Sequence, residues 1–264
     1  MTADFRNRRV VITGAAGVYG RQLSRAFAAA GASLCLSDMR SDALTELAGS
    51  LALPRERLLT HATDLTEDAS IADLIATVTA RWRAPDVVVN NAGIYPFGGL
   101  LEIDADFWDR VMATNLRAPF LLMQGFAKAM IAAGVKGSFV NVSSGAAAIL
   151  RTNGVPYCVS KRGLEWLSKG FALDLARDGI RVNIVRPGFA EGSALVEFPP
   201  NYAETMAAAN PMGRVSGPED LAEAVMFLAS DAAGYVTGEF ISVDGGSSIP
   251  RRAGSATEAK RRRD

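Results

Sequence analysis

Val10-Val11-Ile12-Thr13-Gly14-Ala15-Ala16-Gly17-Val18-Tyr19-Gly20 is the stretch on which the fold turns. Its three β-branched residues form a run short enough for a strand and apolar enough to be buried on both faces. Gly14 follows at once, where a tight turn needs a residue without a Cβ, and a helical pattern starts near Arg21. Strand, glycine turn and helix in that order present backbone N–H groups at a helix N-terminus, the arrangement that receives a pyrophosphate. Gly14 makes the turn, and Gly20 lets helix and strand pack closely.

The next apolar run, Leu34-Cys35-Leu36, ends on Asp38. That is about 20 residues on, where an acidic side chain can accept hydrogen bonds from adenosine ribose hydroxyls. The same carboxylate repels a ribose 2′-phosphate, and the glycine turn holds no basic residue to compensate. NAD is therefore expected over NADP, with Arg40 as the group that would argue the other way. Asp38 also suits the cap of a following helix.

Similar short runs recur at Val87-Val88-Val89, Phe139-Val140-Asn141-Val142, Val182-Asn183-Ile184-Val185 and Phe240-Ile241-Ser242-Val243. Helical stretches lie between them at residues 21–30, 71–81, 106–115, 118–133, 161–177 and 218–230, with Gly31, Gly134 and Gly179 as stops. Strand alternating with helix implies an α/β, single-domain Rossmann fold: a doubly wound parallel sheet with helices on both faces. The domain runs over residues 1–250, and residues 251–264 (RRAGSATEAKRRRD) read as a charged, disordered tail.

The 264 residues suffice for a sizeable core, and 49% hydrophobic against 21% charged residues places the chain among globular proteins. Lys+Arg 28 balance Asp+Glu 28, so no net charge points to nucleic acid or an anionic membrane. His61, Cys35 and Cys158 are the only soft ligands and stand far apart, so no metal site is expected. The N-terminus has no signal-peptide core, and no apolar stretch approaches the roughly 20 residues of a membrane span, so the expectation is a cytoplasmic protein.

Tyr157-Cys158-Val159-Ser160-Lys161 carries chemistry of its own. Tyrosine and lysine four apart share a helical face, so the ammonium can sit near the phenol oxygen, favour phenolate and lower the phenol pKa. Such a tyrosine can exchange a proton with a substrate oxygen near neutral pH.

Thr13-Gly14 with Gly20, Asp64-Leu65, Asn90-Asn91-Ala92-Gly93, Asn115, Ser143-Ser144, Tyr157 with Lys161, Arg186-Pro187-Gly188 and Val243-Asp244-Gly245-Gly246 occur in that order. In that order and spacing the chain resembles the short-chain dehydrogenase/reductase family from Val10 to Gly246. The resemblance implies an oxidoreductase moving hydride between a nicotinamide cofactor and a secondary alcohol or ketone, with Tyr157 as general acid/base. It implies that Ser144, rather than Ser143, orients the substrate, that Lys161 also holds the nicotinamide ribose, and that the helix-interrupting Asn115 positions a water leading to the lysine. Cofactor contacts fall on Gly14, Gly17, Tyr19, Gly20, Asp38, Asp64, Leu65, Asn91, Ala92, Gly93, Tyr157, Lys161, Pro187 and Gly188. Val18 stands where the family places its middle glycine, with Gly17 one position earlier, and Tyr19 replaces an aliphatic residue.

Loops that wall the family's substrate cleft offer Tyr95, Arg151, Asn153 and Glu191 to a polar, sugar-like or acidic small molecule. The closing segments resemble those that form homotetramer interfaces in relatives, so a homotetramer is implied. Three alternatives stay open: an NADP-dependent ketoreductase of acyl-carrier type, a non-catalytic dinucleotide-binding regulator, and a nucleic-acid role for Arg261-Arg262-Arg263.

Overall fold

The computed structural model describes residues 4–190 and 200–249. Seven parallel strands form one sheet in the order β3-β2-β1-β4-β5-β6-β7. These are β1 (Arg9–Thr13), β2 (Ser33–Asp38), β3 (Leu58–Ala62), β4 (Val87–Asn90), β5 (Ser138–Val142), β6 (Arg181–Pro187) and β7 (Phe240–Val243). Eight α-helices accompany them among the described residues: α1 (Val18–Ala29), α2 (Ser41–Ser50), α3 (Asp68–Trp82), α4 (Ala105–Met112), α5 (Ala118–Ala133), α6 (Val155–Leu175), α7 (Tyr202–Ala209) and α8 (Pro218–Ala229).

The strands are apolar throughout because both faces are covered. Val10 and Ile12 point into a core shared with Leu23 and Phe27 of α1 and with Leu221, Val225 and Leu228 of α8. Val11, between them, points to the opposite core with Ile71, Leu74 and Val78 of α3 and Leu122, Phe126 and Met130 of α5. This two-residue alternation is the pleat read as side chains. Each fully buried Val, Leu, Ile or Phe contributes about 1.5–3 kcal/mol relative to exposure. Gly31, Gly134 and Gly179 all take positive φ, as the expected helix stops require.

Strand order reverses between β1 and β4, which pair directly with Val10 opposite Val87 and Ile12 opposite Val89. A cleft opens at the C-terminal ends of such a pair, since the connections leave to opposite sides.

Two elements depart from the sequence expectation. β3 is a half-exposed edge strand whose mixed Leu58-Leu59-Thr60-His61-Ala62 lacks the apolar run of its neighbours. α7 was not foreseen either and buries none of its residues, while α2, the helix expected after Asp38, buries only Leu44 and Leu47. Without a broad apolar stripe, periodicity has little to show. No helix among the described residues is long and apolar enough to cross a membrane.

Candidate active site

The turn after β1 is built by exclusion of side chains. Gly14 has φ +61°, and a Cβ on it would come within 2.7 Å of the Ala92 Cα. A Cβ on Gly20 would collide with the Gly14 carbonyl oxygen and lie 2.7 Å from the Ala15 Cα. The segment after β4 is fastened over this turn. Asn91 and Ala92 donate their N–H groups to the Thr13 hydroxyl at 3.1 and 3.2 Å, and Asn91 Nδ2 donates to the carbonyls of Thr13 and Gly14, both at 3.0 Å.

Gly17 is the N-cap of α1, so the helix begins three residues before Arg21. Val18 and Tyr19 therefore lie in its first turn, where backbone N–H groups have no intrahelical acceptor, and no acidic side chain opposes an anion there. Val18 takes an ordinary helical position beside the cleft. Tyr19 explains its departure from an aliphatic residue: its hydroxyl donates to the Gly188 carbonyl at 3.2 Å, joining the glycine turn to the loop after β6, and burial pushes its phenol up to about 12.

The cleft encloses about 630 Å³, a size suited to a cofactor with a small substrate. One half is walled by Gly14, Gly17, Tyr19, Asp38, Asp64 and Leu65, and the other by Asn91, Ala92, Gly93, Tyr95, Tyr157, Lys161 and Pro187. Gly20 and Gly188 lie behind these walls, Gly20 packed on Gly14 and Gly188 donating its N–H to the Val243 carbonyl at 2.9 Å. Thr63, Arg110 and Thr114 also line the cleft and escaped the sequence reading. Thr63 follows the unrecognised β3, while Arg110 and Thr114 sit in a stretch whose pattern signals only a helix.

Asp38 is buried and well supplied with donors. Its Oδ2 accepts the Ala16 N–H at 3.0 Å, and its Oδ1 accepts both the N–H and the Nε of Arg40 at 3.1 and 3.0 Å. Arg40, itself the N-cap of α2, thus folds back on the carboxylate, and Asp38 does not cap that helix. Asp64 Oδ1 accepts the N–H and hydroxyl of Thr66 at 2.8 and 2.7 Å, which shapes the loop after β3.

Tyr157 and Lys161 occupy successive turns of α6. The Tyr157 phenol is hydrogen-bonded to Ser144, whose Oγ also accepts the Ala146 N–H at 3.1 Å. The neighbouring Ser143 is committed elsewhere: its hydroxyl donates to Glu165 Oε1 at 2.8 Å. Adjacent residues of extended backbone point in opposite directions, so only one of the pair can face Tyr157.

Lys161 differs from expectation. Its Nζ donates to the Val142 carbonyl at 2.8 Å and stands 5.8 Å from the centre of the Tyr157 ring, and the phenol pKa is raised rather than lowered. Desolvation causes this. Burial pushes the Tyr157 phenol up, opposed by the Ser144 hydrogen bond and by the positive charge of Arg151, and it pulls Lys161 down to about 8 against the attraction of Glu165.

Asn115 lies in a π-turn, Ala113–Arg117, that interrupts the helical path between α4 and α5. Its side chain clamps Ile94 from both sides, accepting the N–H at 2.9 Å and donating to the carbonyl at 2.8 Å, and reaches Ser160 of α6 at 3.0 Å. A Cβ on Gly93 would meet both Lys161 Nζ at 3.2 Å and Asn115 Oδ1 at 3.3 Å, so the absent side chain leaves these groups their room. Of the substrate candidates, Tyr95 packs its ring 5.9 Å from that of Tyr157, and Arg151 acts on Tyr157 through its charge. Asn153, at φ +59°, uses its carbonyl to hold the Gly98 N–H at 2.8 Å and so ties two cleft loops together. Glu191 lies outside the described residues, as does the tail 251–264.

A family model described as enoyl-(acyl carrier protein) reductase matches residues 14–248. The chain is 39% identical over 247 residues to cis-4-hydroxycyclohexanecarboxylate dehydrogenase of Sinomonas cyclohexanicum, covering 93% of this chain and 98% of that one. Among solved structures it is similar to a short-chain type dehydrogenase/reductase from Mycobacterium marinum, with a TM-score of 0.88 and 32% identity over 94% of this chain and 98% of that one. A gluconate 5-dehydrogenase from Burkholderia cenocepacia, in complex with NADP and tartrate, gives a TM-score of 0.85 and 32% identity, again over 94% of this chain and 98% of that one.

Proposed function

The chain belongs to the short-chain dehydrogenase/reductase family, and from that membership we propose that it interconverts a secondary alcohol and a ketone on a small, carboxylate-bearing substrate with NAD. The observation that carries this is Tyr157, which lines the same cleft as the glycine turn and is hydrogen-bonded to Ser144 behind it. The open N–H groups at the start of α1 and the space kept clear by Gly14, Gly20 and Gly93 fit a dinucleotide. When bound, its nicotinamide supplies the hydride donor or acceptor.

The protein's own part is orientation and proton transfer. Ser144 donates to the reacting oxygen, and Tyr157 gives that oxygen a proton in reduction or takes one in oxidation. Lys161 places positive charge behind the phenol and holds ribose hydroxyls, while Asn115 keeps the Ile94 strap in register with α6. Asp38 receives the adenosine ribose hydroxyls, Asp64 and Leu65 flank the adenine, and Pro187 and Gly188 border the nicotinamide.

NAD is the favoured carrier because Arg40 is engaged with the buried Asp38, and a 2′-phosphate would have to draw it away. Arg40 is also the residue through which NADP, the cofactor in the Burkholderia cenocepacia structure, would be accepted. Asp38→Ala is expected to lower kcat/KM for NAD by on the order of tenfold and to narrow its lead over NADP. A variant that keeps the wild-type ratio would remove Asp38 from the discrimination.

An anionic substrate is supported by the charge of Arg151 acting on Tyr157, and by the carboxylates in the names of the Sinomonas cyclohexanicum and Burkholderia cenocepacia proteins. Arg151→Ala should raise KM for such a substrate by about 10–100-fold, the range of a hydrogen bond to a charged group, with a smaller effect on kcat. Unchanged constants would eliminate Arg151 as the carboxylate anchor. The proposal includes a cytoplasmic homotetramer, and a monomeric mass by light scattering would refute its assembly.

The decisive assay offers cyclic and open-chain hydroxycarboxylates, sugars and simple secondary alcohols with NAD and NADP in parallel and follows the reduced cofactor. NAD-linked turnover of a hydroxycarboxylate upholds the reading. Turnover with neutral alcohols alone rejects the substrate class, and a preference for NADP rejects the carrier.

A further inference from the structure

Beneath the catalytic serine lies a buried ion pair that the mechanism above does not use. Glu165 stands on α6 one turn beyond Lys161 and is 4% exposed, and Arg186 on β6 is 8% exposed. Arg186 Nε donates to Glu165 Oε1 at 2.5 Å and its Nη2 to Oε2 at 2.6 Å, a two-pronged bond that holds the carboxylate in one orientation. The guanidinium is itself packed 3.5 Å from the centre of the Phe240 ring. The remaining charges near the pair are Lys161 and Arg162 on α6, with Arg162 Nη1 3.6 Å from Oε2, and Lys169 at the rim.

Onto the carboxylate so held, the Ser143 hydroxyl donates at 2.8 Å, while the Ser143 N–H donates to the Val185 carbonyl at 2.8 Å. Backbone and side chain of Ser143 are thus both tied down. Ser144 follows in extended backbone, φ −164° and ψ 156°, so its direction is set by that of Ser143. We propose that Glu165, braced by Arg186, is a positioning residue: by holding the Ser143 hydroxyl it fixes the Ser143-Ser144 step and aims Ser144 at Tyr157. Taking two charges out of water is costly, and apolar side chains of similar volume would fill the same space without that cost. What they would lack is an acceptor for Ser143. The charge of Glu165 also acts on Lys161 and favours its protonated form.

This inference rests on the roles given to Ser144 and Tyr157, and its test separates the two. In Glu165→Met/Arg186→Met both charges leave together, so no buried charge is stranded, and Ser143→Ala removes only the hydrogen bond. Both variants are expected to keep a near-wild-type melting temperature and affinity for reduced nicotinamide, and to lose on the order of tenfold to a hundredfold in kcat. Adding Ser143→Ala to the double variant should cost little more, since the same link is already cut. Wild-type kcat in Ser143→Ala, or losses that multiply, would overturn the proposal.

A second readout needs no substrate. Titrating tyrosinate absorbance against a Tyr157→Phe reference follows the ionisation of Tyr157, which the Ser144 hydrogen bond holds down. An upward shift in both variants upholds the positioning role, and an unmoved ionisation overturns it. The titration decides even where the wild type turns over none of the substrates offered, an outcome that counts against the functional reading alone.

Discussion

Tyr157→Phe is expected to lower turnover by on the order of a thousandfold, within the range attributed to general acid–base groups, while leaving cofactor affinity unchanged. The substitution removes one oxygen and keeps the ring, so packing against Tyr95 and the position of Lys161 beside the ring survive. Initial rates with the best substrate, together with fluorescence titration of the reduced cofactor, check both halves. Retained turnover would transfer the proton to another group and refute the assignment.

The pH dependence follows from the direction of the Tyr157 shift. Burial raises the phenol, so at neutral pH the free enzyme holds the proton that ketone reduction requires. Alcohol oxidation requires phenolate, whose fraction grows with pH. Oxidation should therefore accelerate on the alkaline side where reduction does not.

Lys161→Met should abolish turnover and yet make the protein more stable at pH 7. Burial lowers Lys161 from 10.5 to about 8, so at neutral pH the folded chain carries a charge it has desolvated. The depression corresponds to a penalty of about 3 kcal/mol. The unfolded chain binds more protons between those two pH values, so the penalty is complete below about pH 8 and fades as pH rises toward 10.5. Losing the hydrogen bond to the Val142 carbonyl returns about 1 kcal/mol of the gain. A net gain of about 2 kcal/mol in a chain of this size raises the melting temperature by about 4–8 °C. Calorimetry at pH 7 and pH 10 should find the gain at the first and little at the second. A methionine variant less stable than wild type at pH 7 would show that the ammonium is not held at a cost. Loss of activity with gain of stability at one residue is what a site maintained against solvation predicts.

The resemblance found in the sequence named about half of the residues that line the cleft, because its markers are local. Gly14 and Gly20 report the two places where backbone meets backbone, and Tyr157 and Lys161 report one helical face. Asn115 was legible as a helix interruption, and the π-turn is that interruption. Thr63 was not legible, since its strand lies at the half-exposed edge of the sheet and shows only a weak apolar pattern. Arg40 was noticed but its direction was not, because a guanidinium two residues from a carboxylate can turn toward it or away. The use of Tyr19 depends on Gly188, 169 residues further along the chain.

By itself the sequence determined the parallel α/β sheet, the position of the glycine turn and the tyrosine–lysine spacing. Each depends on steric rules acting over a few residues: the two-residue pleat, the helical repeat and the missing Cβ of glycine. Only the tertiary structure decided that Lys161 bonds Val142, that Ser143 serves Glu165 while Ser144 faces Tyr157, and that burial raises the phenol its lysine was expected to lower. Those outcomes depend on which acceptors distant segments bring within hydrogen-bonding reach and on how much water they exclude, and both are properties of the packed chain.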